Sequence, residues 1–261
     1  MTGDIPIIHI KARTLPEAWH ESITTLLEEG CRIRTEYDKP NDPLSYDSTA
    51  IIEIAQPCGE PMIHRDFPDS LKGLGAYANE ILHGTHDDKY GETYTYHRRL
   101  FAYEEMSPLG TFNYNQIKQM IEKLAEAPHS RRAQAITWKV QADINDPHAP
   151  CLQSIWCRAL RDDLNCLRLN MNVRIRSNDA YKAAFMNMFA FIMLQKKIAL
   201  DLSEMLQETV LLGRYCHMAD SYHIYGKDLE LVANRRMQNR PWEQMTWRYA
   251  DVKSKLNINL G

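Results

Sequence analysis

The run Cys151-Leu152-Gln153-Ser154-Ile155-Trp156-Cys157-Arg158-Ala159-Leu160, the link Arg161-Asp162-Asp163 and the run at 164–175 (LNCLRLNMNVRI) read as two apolar strands joined by a charged turn. That is a hairpin signature. Arg176-Ser177-Asn178-Asp179 closes the second run, where a strand gives way to a helix. From Ala180 to Leu200 (AYKAAFMNMFAFIMLQKKIAL) nearly every residue is an apolar helix former, which predicts a helix buried on most sides. No glycine-rich turn and no regular βα alternation is present. An α+β fold with a mixed sheet flanked by helices is expected, rather than a doubly wound one.

Working outward towards the N-terminus, Leu15 to Gly30 carries Trp19, Ile23, Leu26 and Leu27 on one face and ends on glycine, a helix pattern. Cys31-Arg32-Ile33-Arg34-Thr35 leads into a polar loop through Ser48, long enough to suggest function or mobility. Thr49 to Ile54 reads as a strand, 57–61 as a turn, and Leu71 to Gly84 as a helix closed by its glycine. Tyr90 to Tyr103 interleaves tyrosines with basic residues. Core tyrosines at a strand or a strand-to-helix junction explain it better than a single-stranded nucleic-acid surface, which needs a wider basic surround. Asn115 to Ala127 is an amphipathic helix, ended by Pro128, and AQAITWKV after it alternates as a strand. Towards the C-terminus, Thr209 to Cys216 reads as a strand and 217–225 as a polar-aromatic segment leading to a helix through about Gln238. With no repeat or linker, 1–261 reads as one domain.

Of the 261 residues, 44% are hydrophobic and 25% charged, as in soluble globular proteins. A net charge of −3 supplies no global basic field, so nucleic acid is not an expected partner. No apolar run approaches the roughly 20 residues of a membrane span, and the N-terminal residues lack a signal-peptide layout, so a cytoplasmic protein is expected. The cysteines at 31, 58, 151, 157, 166 and 216 form no CxxC pair and read as free thiols without a metal.

Several residues offer chemistry. A cysteine attacks only as thiolate, and arginines lower its pKa. Cys151 is the candidate because Arg131, Arg132 and Arg176 lie on segments that can surround it; its alternative is a small buried hydrophobe. Arg131-Arg132 either clamp a phosphate or form a solvated pair. Asn187 stands amid an apolar helix, where a buried amide must bond its neighbours or read a ligand that has a donor and an acceptor.

In this order the segments resemble thymidylate synthase, more the shorter archaeal-type branch than the bacterial enzyme, from about Tyr90 to Tyr225 and more faintly back to Arg34. Ala149-Pro150-Cys151-Leu152 resembles the nucleophile motif Ala-Pro-Cys-His, with leucine in place of histidine. Ser130-Arg131-Arg132 is similar to Ser-Arg-Arg, whose arginines reach the nucleotide phosphate of the other subunit. Arg176-Ser177-Asn178-Asp179 is similar to Arg-Ser-Cys-Asp, in which arginine and serine bind phosphate and aspartate binds the pterin and the water network. Asn187, eight residues after Asp179, falls on the asparagine that reads the uracil edge. His223-Ile224-Tyr225 resembles His-Leu-Tyr, which holds the sugar 3′-hydroxyl; Tyr94 in Gly91-Glu92-Thr93-Tyr94 falls on the tyrosine near the proton-transfer water; and Arg34-Thr35 resembles the mobile loop's phosphate arginine.

The resemblance implies a homodimer formed through the sheet face, a dUMP-like nucleotide, and 5,10-methylene-tetrahydrofolate or a related reduced pterin as co-substrate, with no metal. It implies dUMP-to-dTMP methyl transfer begun by Cys151 attack on uracil C6. The alternatives are a pyrimidine nucleotide hydroxymethylase on the same scaffold and a non-catalytic nucleotide- or RNA-binding relative. The general-acid glutamate has no direct counterpart: ungapped counting gives Tyr77, and Glu80, one turn on, is the expected substitute. The folate-site tryptophans find no match, and 257–261 does not resemble the hydrophobic closing tail.

Overall fold

Strand alternation begins the chain. In β1 (Ile7–Ala12) Ile8, Ile10 and Ala12 are buried while Ile7, His9 and Lys11 face outward. The computed structural model describes residues 3–87, 94–234 and 240–260. Helix α1 (Leu15–Glu29) buries Trp19, Ile23 and Leu26 as its spacing predicts, and ends at Gly30. Strands β2 (Cys31–Ile33) and β3 (Ser45–Ile54) follow, then the short β4 (Ile63–His64) and α2 (Leu71–His83), which stops at Gly84 in the left-handed region. Within the tyrosine-rich stretch, read as a strand or a strand-to-helix junction, the described residues form α3 (Tyr96–Phe101), started by Thr95, whose side chain accepts the Arg98 N–H; Tyr90 and the quoted Gly91, Glu92 and Thr93 lie outside the described residues.

A hairpin unread in the sequence, β5 (Tyr103–Ser107) and β6 (Gly110–Tyr114), precedes α4 (Gln116–Glu126). Next come β7 (Gln134–Ile136), α5 (Val140–Asp143) and the predicted hairpin of β8 (Leu152–Arg161) and β9 (Leu167–Asp179). The core helix α6 (Ala184–Leu206) starts four residues later than predicted. The Asp179 carboxylate takes the N–H groups of Tyr181 and Lys182 at 3.0 and 2.7 Å, holding 180–183 in a turn. Strand β10 (Val210–Ile224) leads to α7 (Leu229–Asn234), where the helix expected through Gln238 begins; 235–239 lie outside the described residues. The strand β11 (Thr246–Trp247) and the helix α8 (Tyr249–Leu256) end the described chain.

The main sheet runs β1-β3-β10-β9-β8-β7, with β2 paired to β3 beyond the end of β1. It is mixed: β1–β3 and β10–β9 are parallel, the other pairs antiparallel. On one face Phe185, Met188, Phe189 and Ile192 of α6 are fully buried with Trp19 and the strand residues Ile52, Val173 and Tyr215. Each such side chain contributes about 1.5–3 kcal/mol by leaving water. This core helix is not a membrane span; no helix among the described residues is long and apolar enough for that.

Two strands exceed their sequence limits for one reason. β3 begins at Ser45 rather than Thr49, and β10 continues past Cys216 to Ile224. Both extensions carry buried polar residues that look like loop in the sequence. Two of them are bonded beyond their own strand: the buried Ser45 Oγ donates to Asp38 Oδ1 of the preceding loop at 3.2 Å, and the buried Asp47 accepts from Ser221 Oγ of β10 at 3.0 Å. The topology brings the start of β8 beside the end of β9 (Leu152 opposite Ile175) and the ends of β9 and β10 together (Asp179 opposite His223). One end of the sheet therefore collects the chemistry.

The C-terminal segment docks on α2. Asn79 Nδ2 donates to the Asn257 carbonyl at 2.9 Å, the Asn259 N–H donates to Asn79 Oδ1 at 3.2 Å, and His83 Nε2 lies 2.8 Å from the Asn259 carbonyl. Ile258 and Leu260 pack half-buried against the core, so this tail is anchored although its sequence resembles no closing tail. Gly75 permits the contact: a Cβ there would fall 1.7 Å from the Leu256 carbonyl oxygen. Gly75→Ala is expected to cost about 1–3 kcal/mol of stability and to free the tail for proteolysis. Urea unfolding with limited proteolysis checks this, and an unchanged midpoint would refute it.

Candidate active site

Cys151 stands half-buried immediately before β8. Its carbonyl accepts the Arg176 N–H at 2.8 Å, which fixes the thiol against the end of β9. The Arg176 side chain folds back on the same loop, Nε donating to the Pro150 carbonyl at 3.2 Å and Nη2 to the Ala149 carbonyl at 2.7 Å. Burial raises the thiol pKa above its ordinary value, and the Arg176 charge works against that rise. The Ser177 hydroxyl beside it has no partner among the described residues, so Arg176 and Ser177 are available to an anion.

Five phenols lie within electrostatic reach of this thiol. Burial is the first cause of the raised pKa values of Tyr77, Tyr94, Tyr96 and Tyr225, and a charge on Cys151 adds to each. Tyr94 is pushed up to about 12, and its ring lies 5.4 Å from the Arg99 guanidinium. Tyr96 accepts the Leu152 N–H at 3.2 Å, pinning the residue after the thiol. The fifth, Tyr37, is raised first by its hydrogen bond to Glu36 but also feels Arg176 and Cys151, so the 34–44 loop passes over the site. Its ring meets that of Tyr225 edge-on at 6.1 Å.

Asn187, in the first turn of α6, is 8% exposed. Tyr77 donates to its Oδ1 at 2.6 Å, so the residue that counting places at the glutamate position touches the base-reading candidate directly. Glu80 instead bonds His86 through Oε2 at 3.0 Å, while its charge adds to the rise at Tyr77. Asp179 and His223 face each other at the ends of β9 and β10; burial raises the Asp179 carboxyl first, and His223 opposes this. The His223 ring is held by Tyr225 at 4.7 Å edge-on and by Ser221, whose Oγ lies 3.2 Å from Nδ1. Ser221 in turn donates to the buried Asp47, a support that sequence reading missed because Ser45-Tyr46-Asp47-Ser48 looked like loop.

Cys151, Arg176, Ser177, Asp179, Asn187, Tyr94, His223 and Tyr225 thus gather at one end of the sheet, and Tyr37, Tyr77 and Tyr96 join them. Three predicted arginines stand apart. Arg34 is exposed and caps its own loop, Nη1 donating to the Lys39 and Asp42 carbonyls at 3.2 and 2.8 Å. Arg131 and Arg132 are exposed on the turn before β7, at the edge of the sheet. Tyr94 also borders a cavity of about 700 Å³ with Arg98, Tyr103 and Lys139, and a second cleft of about 520 Å³ is lined by Phe67, Trp247, Arg65, Lys72 and Lys255. Chemically the cluster offers a tunable thiol, an anion site, an amide with donor and acceptor, and several un-ionised phenols.

Comparisons with known proteins bear on the family and the fold. The family model described as thymidylate synthase matches residues 18–258. A relative from Methanocaldococcus jannaschii named "Putative thymidylate synthase" is 33% identical over 221 residues, covering 83% of this chain and 90% of its own. One of the same name from Methanopyrus kandleri is 27% identical over 192 residues, covering 73% and 82%. Among solved structures, thermostable thymidylate synthase A from Bacillus subtilis superposes with a TM-score of 0.64 at 16% identity, over 95% of this chain and 93% of that one.

Proposed function

The chain belongs to the thymidylate synthase family, and from that premise we propose that it converts dUMP to dTMP, with Cys151 as the nucleophile. The observation that carries this is the placing of the Cys151 thiol beside Arg176, at the sheet end that also holds Asn187 and His223.

In this reading the nucleotide phosphate is held by the free valence of Arg176 and by Ser177, with Arg34 closing from its loop. His223 and Tyr225 hold the sugar hydroxyl. The Cys151 thiolate adds to C6 of the ring, and the charge that develops on O4 meets the preorganised donor of Asn187. Methylene-tetrahydrofolate, or a related reduced pterin, supplies the one-carbon unit and the hydride. Asp179 orients it. The two clefts, lined by aromatic rings and cations, suit a planar heteroaromatic molecule with an acidic tail. Tyr94 holds the water that takes the C5 proton, Glu80 relays protons near O4, and the C6–S bond then breaks by elimination, which returns Cys151 as thiolate and frees the product. Arg131 and Arg132, exposed at the sheet edge, reach the phosphate of a second copy in a homodimer formed through the uncovered sheet face.

Hydroxymethylation is the competing outcome, because Tyr77 stands where a glutamate is expected and the proton and hydride steps depend on that region. Mass spectrometry of the product from dUMP and methylene-tetrahydrofolate separates the two. A methyl product is expected; a product heavier by one oxygen would replace methyl transfer with hydroxymethyl transfer.

A further inference from the structure

The imidazole of His223 is held through Ser221 by a carboxylate from another strand. Ser221 Oγ stands 3.0 Å from each oxygen of Asp47, on β3, and 3.2 Å from His223 Nδ1. Asp47 and His223 are 8% and 6% exposed, so the chain of bonds is shielded from solvent. Burial raises the Asp47 carboxyl, while the Ser221 hydroxyl, the nearby His223 and the Ser48 N–H all favour its charged form. An ionised carboxylate can only accept, and a serine hydroxyl has a single proton to give. That proton is committed to Asp47, so the Ser221 oxygen turns a lone pair towards the ring. Nδ1 must then carry the ring proton, and the neutral ring keeps its lone pair on Nε2.

The nitrogen left for a ligand is therefore an acceptor. It suits a group with a proton to give, and it gains nothing from a methylene or from a group that only accepts. The Tyr225 ring meets the imidazole edge-on at 4.7 Å. A ligand hydroxyl that gives its proton to Nε2 can still accept from the Tyr225 phenol, whose pKa is raised first by burial. With the ring proton on Nε2 the preference would reverse, and the site would favour a bare acceptor.

We propose that Asp47 and Ser221 are positioning residues that hold the proton of His223 on Nδ1, so that Nε2 accepts from the sugar and the site selects a free 3′-hydroxyl over a sugar without one. This rests on the reading of His223 as a sugar-holding group. The test has two readouts on the full chain. With isotope-labelled histidine at about pH 8, where an ordinary imidazole is neutral, long-range proton–nitrogen spectra show which nitrogen of His223 is protonated, and His223→Gln identifies its signals. Calorimetry gives the affinities for dUMP and for its 3′-deoxy analogue. In the unaltered protein a ring protonated on Nδ1 is expected, with dUMP favoured about tenfold, the scale of one hydrogen bond. In Ser221→Ala and Asp47→Asn the proton is expected to move towards Nε2 and the preference to shrink to about twofold or less, while the affinity for the analogue holds. Ser221→Thr keeps the hydroxyl and should keep both properties. If a thermal melt shows one variant unfolded, the other decides, and the spectrum of the unaltered protein needs neither. A ring protonated on Nε2 in the unaltered protein, an unchanged preference in the folded variants, or equal loss of both affinities overturns the relay and leaves the proposed function standing. No binding of either nucleotide by the unaltered protein overturns both.

Discussion

Cys151→Ser is expected to lower turnover at least about a thousandfold while dUMP affinity stays within a few fold. The two effects separate because they rest on different atoms. A serine hydroxyl does not ionise near neutral pH, so the addition to C6 loses its nucleophile. The groups proposed to bind the nucleotide, Arg176, Ser177, Asn187 and His223, keep their places, since Arg176 is tied to backbone carbonyls at 149 and 150 rather than to the sulfur. The unaltered thiol gives a pH signature as well. Burial raises its pKa and Arg176 only partly offsets this, so alkylation of Cys151 in the free protein should keep accelerating as pH rises towards 9. Turnover in Cys151→Ser within tenfold of the unaltered protein would remove the nucleophile assignment.

Asp143→Ala is expected to cost about 3–5 kcal/mol of stability, the largest loss foreseen for one side chain. Arg99 and Asp143 form a two-pronged ion pair at 2.7 and 2.9 Å, with side chains only 7% and 1% exposed. The Arg99 guanidinium also donates to the Thr137 carbonyl at 2.7 Å, and Asp143 accepts the Lys139 N–H at 2.6 Å. Removing the carboxylate leaves a buried cation without its counter-charge, and that penalty exceeds the net worth of the pair itself. The site feels the change, because Arg99 underlies Tyr94. Replacing both partners by apolar residues should recover much of the loss, which a double-mutant cycle in urea measures. A single-variant cost below about 1 kcal/mol would show that water reaches the pair.

The hairpin and the core helix were legible because their signals are long: ten or more residues of one pattern, punctuated by charge or glycine. Helices α1, α2 and α4 were legible for the same reason, each ending within a residue or two of its predicted limit. The misjudged ends of β3 and β10 share a cause, which is buried polar residues that look like loop. His217 and His223 made the end of β10 look irregular, yet both are buried and bonded to partners far off in sequence or across a bulge. Asp47 did the same for β3. β1 carries a clean alternation, but over only six residues. At the site, motif order pointed to Cys151, Arg176, Ser177, Asp179, Asn187, His223 and Tyr225, which converge at one end of the sheet, whereas Arg34, Arg131 and Arg132, read in the same way, stand apart. The phenols Tyr37, Tyr77 and Tyr96 come from loop and helix positions that carry no pattern, and only packing shows that they converge. Tyr77 is the instructive case: counting reached it, but nothing in the sequence marks a tyrosine there as a partner of Asn187 until its hydroxyl is seen on the amide.

Activation of the pyrimidine ring at C5 by Cys151 is tested most directly by tritium release from C5-labelled dUMP in the presence of methylene-tetrahydrofolate. Release that depends on the unaltered Cys151 is the predicted result, whether the product carries methyl or hydroxymethyl. Bound dUMP with no tritium released would contradict it and leave a nucleotide-binding protein without the chemistry.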